Sequence, residues 1–368
     1  MKKNISLFTI FLCVIALVAS FRPLFAIDKA LSSDAGVLSY AWVSDRMDVM
    51  PWGLEVGDLD GDKDEEIILL YRDFLEIGHF KDGAFVRSAS CNFKNGAKGA
   101  RLDLFDIDGD GDYEAVVTAI TIGKPTAMLI DYDSAGCRVV KSEIPWSFRA
   151  ISGGEQDGLY GQWWSGQKYF SGPVYSIEIS KKIKKRDKLL LPRFASLYDF
   201  LILPEMGEEH FVLLQKSYSP LEIMRREERS FKRFWKSSEK FGGSVNYLPA
   251  SSRNVMGEES SEIAIFDIPP VAMKAVDGIL VAVVQNEMPI RSIVGRTPYV
   301  KDSMVVFFRP DPVLGLVEKS RTPKLPGAIV DLAVLPRKEG SDSIYVIIHE
   351  GGDFFMKSTS SRIFRFDF

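Results

Sequence analysis

An all-β fold is what this sequence predicts: a β-propeller of four-stranded blades behind a cleavable signal peptide, with six blades and an alternative of seven. Three observations predict it. Two acidic loops repeat after 48 residues, each loop lies between apolar runs of strand length, and the composition is that of an exported β-rich protein.

The loops are Asp58-Leu59-Asp60-Gly61-Asp62-Lys63-Asp64-Glu65-Glu66 and Asp106-Ile107-Asp108-Gly109-Asp110-Gly111-Asp112-Tyr113-Glu114, and each sets oxygen donors at alternate positions around a glycine. Carboxylates this dense repel one another unless a hard cation neutralises them, and calcium accepts roughly six to eight oxygens in a flexible shell. The expected ligands of the first loop are the side chains of Asp58, Asp60, Asp62 and Glu66 with the carbonyl of Asp64. Those of the second are the side chains of Asp106, Asp108, Asp110 and Glu114 with the carbonyl of Asp112. Two structural Ca2+ sites are therefore expected. An EF-hand is excluded because position twelve is Leu69 or Val117 rather than a bidentate Glu, and because Ile67-Ile68-Leu69-Leu70-Tyr71 and Ala115-Val116-Val117-Thr118-Ala119-Ile120 read as buried strands, not helices.

A repeat of this period signals an array, and four short strands joined by turns fill it, which suits one blade of a propeller. Each loop follows an apolar strand (Leu54-Glu55-Val56-Gly57 and Leu102-Asp103-Leu104-Phe105), and the clearest repeats span 54–101 and 102–146. The pattern Val-Gly-Asp-Leu-Asp-Gly-Asp followed by acidic residues and Ile-Ile-Leu-Leu resembles the FG-GAP or VCBS repeat, the blade unit of integrin α-chain propellers and of many secreted bacterial proteins. That resemblance implies that the acidic loop joins the first two strands of a blade and holds calcium. It covers about a quarter of the chain and carries no calcium beyond residue 120, where the acidic loops decay.

Degenerate copies follow. Phe148–Ile151 and Leu159–Gln162 flank a polar turn 49 residues after the second loop; Leu197–Leu201 and Phe211–Leu214 flank another. Ile263–Asp267 and Ile279–Val284 are read as the first two strands of a fifth blade, and Ile329–Ala333 and Ile344–Ile348 as those of a sixth. The periods 195–262 and 263–326 are long enough for an irregular extra hairpin. Tyr40-Ala41-Trp42-Val43-Ser44 resembles Arg233-Phe234-Trp235-Lys236-Ser237, an outer strand, and is expected to complete the last blade beside Arg362–Phe366, which leaves few exposed edges.

The N-terminus reads as an export signal, residues 1–26: Lys2 and Lys3 precede the apolar run 5–20, and Leu24-Phe25-Ala26 offers a cleavage site. A cut after Ala19 or Ser20, or an uncleaved anchor, are the alternatives. Cys13 follows Leu12 rather than a small residue and does not suit lipidation. Residues 27–368 form one propeller domain. With 46% hydrophobic and 12% aromatic residues and a formal charge of −4 the chain is neither disordered nor membrane-embedded, and export makes a nucleic-acid partner unexpected. Export permits a disulfide between Cys91 and Cys137, which occupy near-equivalent positions of adjacent repeats; two buried free thiols are the alternative.

Catalytic signatures are absent. His79, His210 and His349 fall in separate repeats without metal-ligand spacing, Ser165 lacks a nucleophile-elbow glycine, and the Gly pairs at 153–154, 242–243 and 351–352 sit in turns. The basic runs 181–188 and 225–233 read as solvated hairpin turns, or as a face for an anionic polymer if they converge. Tyr160, Trp163, Trp164 and Tyr169 form an aromatic cluster suited to core packing, or to stacking on a sugar or peptide. The expected function is that of a non-enzymatic, calcium-binding propeller, periplasmic, surface-bound or extracellular, whose loop face binds a protein or glycan. Alternatives are a polysaccharide-acting enzyme using channel acids such as Asp199, Asp267 and Asp331, and an assembly or secretion factor of an envelope complex.

Overall fold

The computed structural model describes residues 36–152, 157–163, 170, 172–180, 182–203, 206, 210–253, 259–288, 300–337, 339–350 and 360–368. The export segment 1–26 lies outside them, as do Trp164, Ser165, Tyr169, Lys181, Gly153 and Gly154 and the pair at 351–352. Every described element is a β-strand.

Strands β1 (Gly36–Val37) and β2 (Trp42–Val43) come first and join sheets built by the end of the chain. Blade 1 is β3 (Gly53–Gly57), β4 (Glu66–Leu70), β5 (Phe74–Lys81) and β6 (Ala84–Asn92); blade 2 is β7 (Lys98–Phe105), β8 (Glu114–Thr121), β9 (Lys124–Asp133) and β10 (Gly136–Ile144). Blade 3 is β11 (Trp146–Ile151), β12 (Gly158–Trp163), β13 (Val174–Ile179) and β14 (Ile183–Lys188). Blade 4 is β15 (Phe200–Ile202), β16 (Phe211–Leu214), β17 (Ser219–Glu227) and β18 (Ser230–Phe241). After a two-stranded hairpin, β19 (Tyr247–Arg253) and β20 (Glu259–Ile265), blade 5 follows as β21 (Val271–Ala275), β22 (Gly278–Asn286), β23 (Asp302–Asp311) and β24 (Gly315–Arg321), with β25 (Leu325–Pro326) paired to β23. Blade 6 is β26 (Ala328–Leu335), β27 (Ser343–Glu350), β28 (Ser360–Asp367) and β2. These six antiparallel sheets, each with its first strand innermost, make a six-bladed propeller.

The apolar runs are continuous rather than alternating because each blade is packed on both faces. Successive side chains of a strand point to opposite faces, so in β4 Ile67 and Leu69 pack on blade 6 while Ile68 and Leu70 pack on blade 2. The same division holds in β22, where Val281 and Val283 meet blade 4 and Leu280, Ala282 and Val284 meet blade 6. Such interfaces run round the ring, which is why the second strands of blades 1, 2, 4, 5 and 6 are mostly apolar.

The ring closes as the sequence predicts: Trp42 pairs with Arg365 and Val43 with Phe364. A second tie is parallel, Gly36 beside Ser320 and Val37 beside Arg321. Cys91 on β6 and Cys137 on β10 form a disulfide with Cα atoms 5.7 Å apart, stapling the outer strands of blades 1 and 2.

One strand assignment is corrected. Ile263-Ala264-Ile265 belongs to the β19–β20 hairpin and not to blade 5, whose innermost strand is Val271–Ala275. The segment is as apolar as a blade strand because Leu248, Ala264 and Phe266 are buried against Ala100, Tyr198 and Phe200, and periodicity cannot separate that burial from burial within a blade. The basic runs lie on exposed hairpins: residues 183–188 form the exposed edge strand of one, with Glu178 paired to Lys184 and Arg186, and 225–233 spans the short turn between β17 and β18.

Candidate binding site at the channel mouth

The two acidic loops connect the innermost to the second strand of blades 1 and 2, on one face of the ring. Their internal hydrogen bonding is nearly identical. Asp58 accepts the N–H groups of Gly61 (2.8 Å) and Lys63 (3.0 Å), as Asp106 accepts those of Gly109 (2.7 Å) and Gly111 (3.2 Å). Glu66 reaches back to the N–H of Leu59 (2.8 Å), as Glu114 does to that of Ile107 (2.7 Å). The bend needs a left-handed backbone: φ is 75° at Gly61 and at Lys63, 81° at Gly109 and 103° at Gly111.

The structure brings the carboxylates of Asp58, Asp60 and Glu66 together in one loop and those of Asp106, Asp108 and Asp110 in the other, oxygen atoms within 4.8 Å of one another. Asp62 lies beside them, bonded to the N–H of Asp64, and Glu114 is held by Ile107. Burial, reinforced by the neighbouring aspartates, pushes Glu66 and Glu114 each up to about 7. The loops also touch: Tyr113 donates its N–H to the carbonyl of Asp58 (3.1 Å), and partial burial with the fields of Asp110, Asp58 and Asp60 raises Asp112. These donor sets are oxygen-only and net negative, which fits calcium.

The same loops rim a cavity of about 760 Å³ that opens on this face, where Asp58, Lys63, Glu65, Tyr113 and Arg337 line its mouth. The opposite end of the channel is crossed by the chain entering and leaving the extra hairpin. Asn246 donates to the carbonyl of Ala100 (2.5 Å), Arg72 bonds both Gly99 O (2.8 Å) and Asn246 Oδ1 (2.9 Å), and Phe266 is fully buried beneath Tyr198. The channel is thus a blind pocket rather than a pore.

Charged side chains from four innermost strands line or support this pocket. Arg101 on β7 meets Asp331 on β26 at 2.8 Å, and Asp331 also accepts the N–H groups of Leu54 (3.1 Å) and Leu332 (3.0 Å). Burial raises Asp331 and these donors oppose the rise, so Asp331 is the best-supported anion of the set. Arg149 on β11 is fully enclosed; burial lowers it to about 10, and it donates to the carbonyls of Leu197, Phe200 and Pro270. Asp103 receives the N–H of Ala150 (3.0 Å) on Oδ1, whereas its buried Oδ2 has no partner. Burial pushes Asp103 up to about 7 against the pull of Arg101 and Arg149. Glu55 on β3 is reached from the cavity yet surrounded by protein. Burial, then the charges of Asp103 and Asp331, hold it well above the usual carboxylate range.

Of the channel acids expected from sequence, Asp331 lies on an innermost strand. Asp199 sits just before β15 with Ser196 bonded to it at 2.7 Å, and Asp267 follows the hairpin outside any blade. Burial raises both to about 6. Sequence reasoning missed Glu55, Arg101, Asp103 and Arg149, although a signal existed: Glu55 and Arg149 are lone charges inside apolar first strands, and Arg101 and Asp103 interrupt the apolar stretch of β7. His79 and His210 are strand and loop residues, and His349 is buried with Nε2 2.7 Å from the carbonyl of Pro51, which burial reflects in a pKa lowered to about 4. Trp163 is exposed and packs edge-on against Trp146.

No family model and no curated protein matches this chain. Among solved structures it is similar to a chain of the crystal structure of BBS1N in complex with ARL6DN, with 10% identity covering 90% of this chain and 98% of that one at a TM-score of 0.43. It is similar to a chain of the mitotic checkpoint complex, with 9% identity, coverage of 91% and 94% and a TM-score of 0.43. It is also similar to the PQQ-bound aldose sugar dehydrogenase of Streptomyces coelicolor, with 13% identity, coverage of 91% and 98% and a TM-score of 0.43.

Proposed function

We propose that this chain is an exported, non-enzymatic binding propeller of the FG-GAP or VCBS type, in which two calcium ions stiffen the rim of a blind channel and the mouth face captures a protein or glycan in the cell envelope or outside the cell. The observation that carries the reading is the pair of loops with matching hydrogen-bond patterns and converging carboxylates, placed side by side at the mouth. Without a cation each loop holds several close negative charges, so an ion that binds only the folded state stabilises it by mass action. The test is calcium titration of the chelator-treated protein, followed by melting scans with and without the ion. Two bound ions per chain and a rise in Tm are expected, and the rise disappears in the Asp60→Ala plus Asp108→Ala double variant. A double variant that melts like the wild type in excess calcium sinks the reading.

One observation favours a second reading, an enzyme acting on polysaccharide: two carboxyls of raised pKa, Glu55 and Asp103, face one cavity. Release of reducing ends from envelope polysaccharide, lost on Asp103→Asn, would select it.

A further inference from the structure

Away from the channel mouth, the outer wall of the ring is uneven in charge. Over the two outer strands and their turn, residues 174–188 of blade 3 carry six Lys or Arg against two acids, and residues 219–241 of blade 4 carry seven against four. The same outer pairs are balanced in blade 1 (74–92), blade 2 (124–144) and blade 5 (302–321), and β28 of blade 6 has an excess of one. In a chain of formal charge −4, positive charge is therefore gathered on two successive blades.

The ring brings these strands together. Leu189 and Leu191, where the chain leaves β14, pack in one cluster with Met224 of β17 and Phe231 of β18, and the carbonyl of Leu190 lies 3.0 Å from Nε2 of His210 at the entry to β16. Local ion pairs do not cancel the excess, because three glutamates of the wall are each shared by two cations: Glu178 by Lys184 and Arg186, Glu222 by Arg233 and Lys236, and Glu227 by Arg225 and Lys232. Lys182, Lys185, Lys188, Arg226 and Arg229 are exposed and meet no carboxylate among the described residues. Like charges held this close in water raise the local potential and draw a partner of opposite sign.

The form of the wall selects among anionic partners. Among the described residues, neither 174–188 nor 219–241 holds an exposed large hydrophobic side chain, so the wall lacks the apolar insertion with which peripheral proteins seat in a bilayer. Its cations run instead along β14 and β18, strands of six and twelve residues, at about 3.3 Å per residue. A row of this kind suits a linear chain of repeated anions rather than a single phosphate.

We propose that the outer wall of blades 3 and 4 binds an acidic polysaccharide, a linear glycan bearing repeated sulfate, carboxylate or phosphate groups, through the cations of β14 and of the β17–β18 hairpin. The choice of a glycan over a nucleic acid rests on the export reading above; the surface itself is separate from the mouth and independent of calcium.

The probe is dextran sulfate, titrated calorimetrically into the full chain, with uncharged dextran of equal length as its control. Dextran sulfate should bind at least tenfold tighter than dextran, and its affinity should fall about tenfold or more between about 50 and 200 mM salt, because pairing with a polyanion releases counterions. Removing three lysines from blade 3 (Lys182→Gln, Lys185→Gln, Lys188→Gln) or two arginines from blade 4 (Arg226→Gln, Arg229→Gln) should weaken it at least fivefold with the melting transition kept. Removing three exposed lysines from blades 1, 2 and 5 (Lys81→Gln, Lys124→Gln, Lys319→Gln) should leave it unchanged. No dextran sulfate binding to folded wild type, equal binding of dextran, or an equal loss in the variant of blades 1, 2 and 5 overturns the proposal, and the first two outcomes need no variant to fold. Tighter binding of single-stranded DNA, or of vesicles of phosphatidylcholine and phosphatidylglycerol, at equal concentration of negative charge overturns the glycan assignment. Dextran sulfate binding by a chain that takes up no calcium would remove the calcium reading alone, and the reverse would remove this one alone.

Discussion

Replacing both Cys91 and Cys137 by alanine removes the disulfide that staples blades 1 and 2 and tests how the ring is held at its rim. The bridge spans 46 residues of chain. Closing a loop of that length lowers the entropy of the unfolded chain by an amount worth about 4 kcal/mol at room temperature. Little is lost on the native side, since Cys91 is buried among Leu75, Ile77 and Met128, and alanine keeps that site apolar. In a chain of this size about 4 kcal/mol corresponds to a fall in Tm of roughly 5–6 °C. The inner ends of the same two blades stay joined by the Tyr113–Asp58 hydrogen bond, so the variant should remain folded with its calcium response intact. Urea unfolding under oxidising conditions gives the free-energy change, calorimetry gives the Tm, and a thiol count confirms the bridge in the parent. A loss below 1 kcal/mol in a parent proven to be bridged would refute the reasoning, as would free thiols in the oxidised protein.

Three further outcomes are expected. Because burial and the adjacent aspartates raise Glu66 and Glu114 to about 7, calcium must displace protons below that pH; affinity should fall as pH drops from 8 to 6, and a flat titration profile would contradict it. Asp103, at about 7 folded against 3.8 ordinarily, favours its protonated form in the native state. Its contribution is present below about pH 4 and lost as pH rises through 7, so Asp103→Asn should flatten the decline in urea stability between pH 5 and 8 by on the order of a few kcal/mol. Deleting residues 36–44 strips β2 from β28 and exposes a sheet edge, so light scattering should show association along with a lower Tm; a monomer melting like the parent would show that closure is dispensable.

Much of this architecture was legible in the chain because blade packing leaves a periodic trace. The run Ile67-Ile68-Leu69-Leu70 and its counterpart Ile344–Ile348 are apolar at every position because both strand faces are buried, and each is paired in sequence with its innermost neighbour across one turn. The two acidic loops were legible for a local reason: their carboxylates lie within nine residues of one another. The pocket floor was not, since Glu55, Arg101, Arg149 and Asp331 come from four blades and meet only when the ring is closed. The fifth blade was misplaced because Ala264 and Phe266 are buried by packing outside any blade, and burial leaves the same apolar pattern whichever partner causes it.

By itself, then, the sequence determined the all-β class, the count of six blades, the strand that closes the ring and the two acidic loops, all of which depend on near neighbours or on strand alternation. Only the tertiary structure decided that the channel is blind, that Cys91 meets Cys137, and that Arg101 meets Asp331. Those facts follow from the angular placement of whole blades about a common axis, where residues as far apart as Arg101 and Asp331 come within 2.8 Å and no local pattern encodes the encounter.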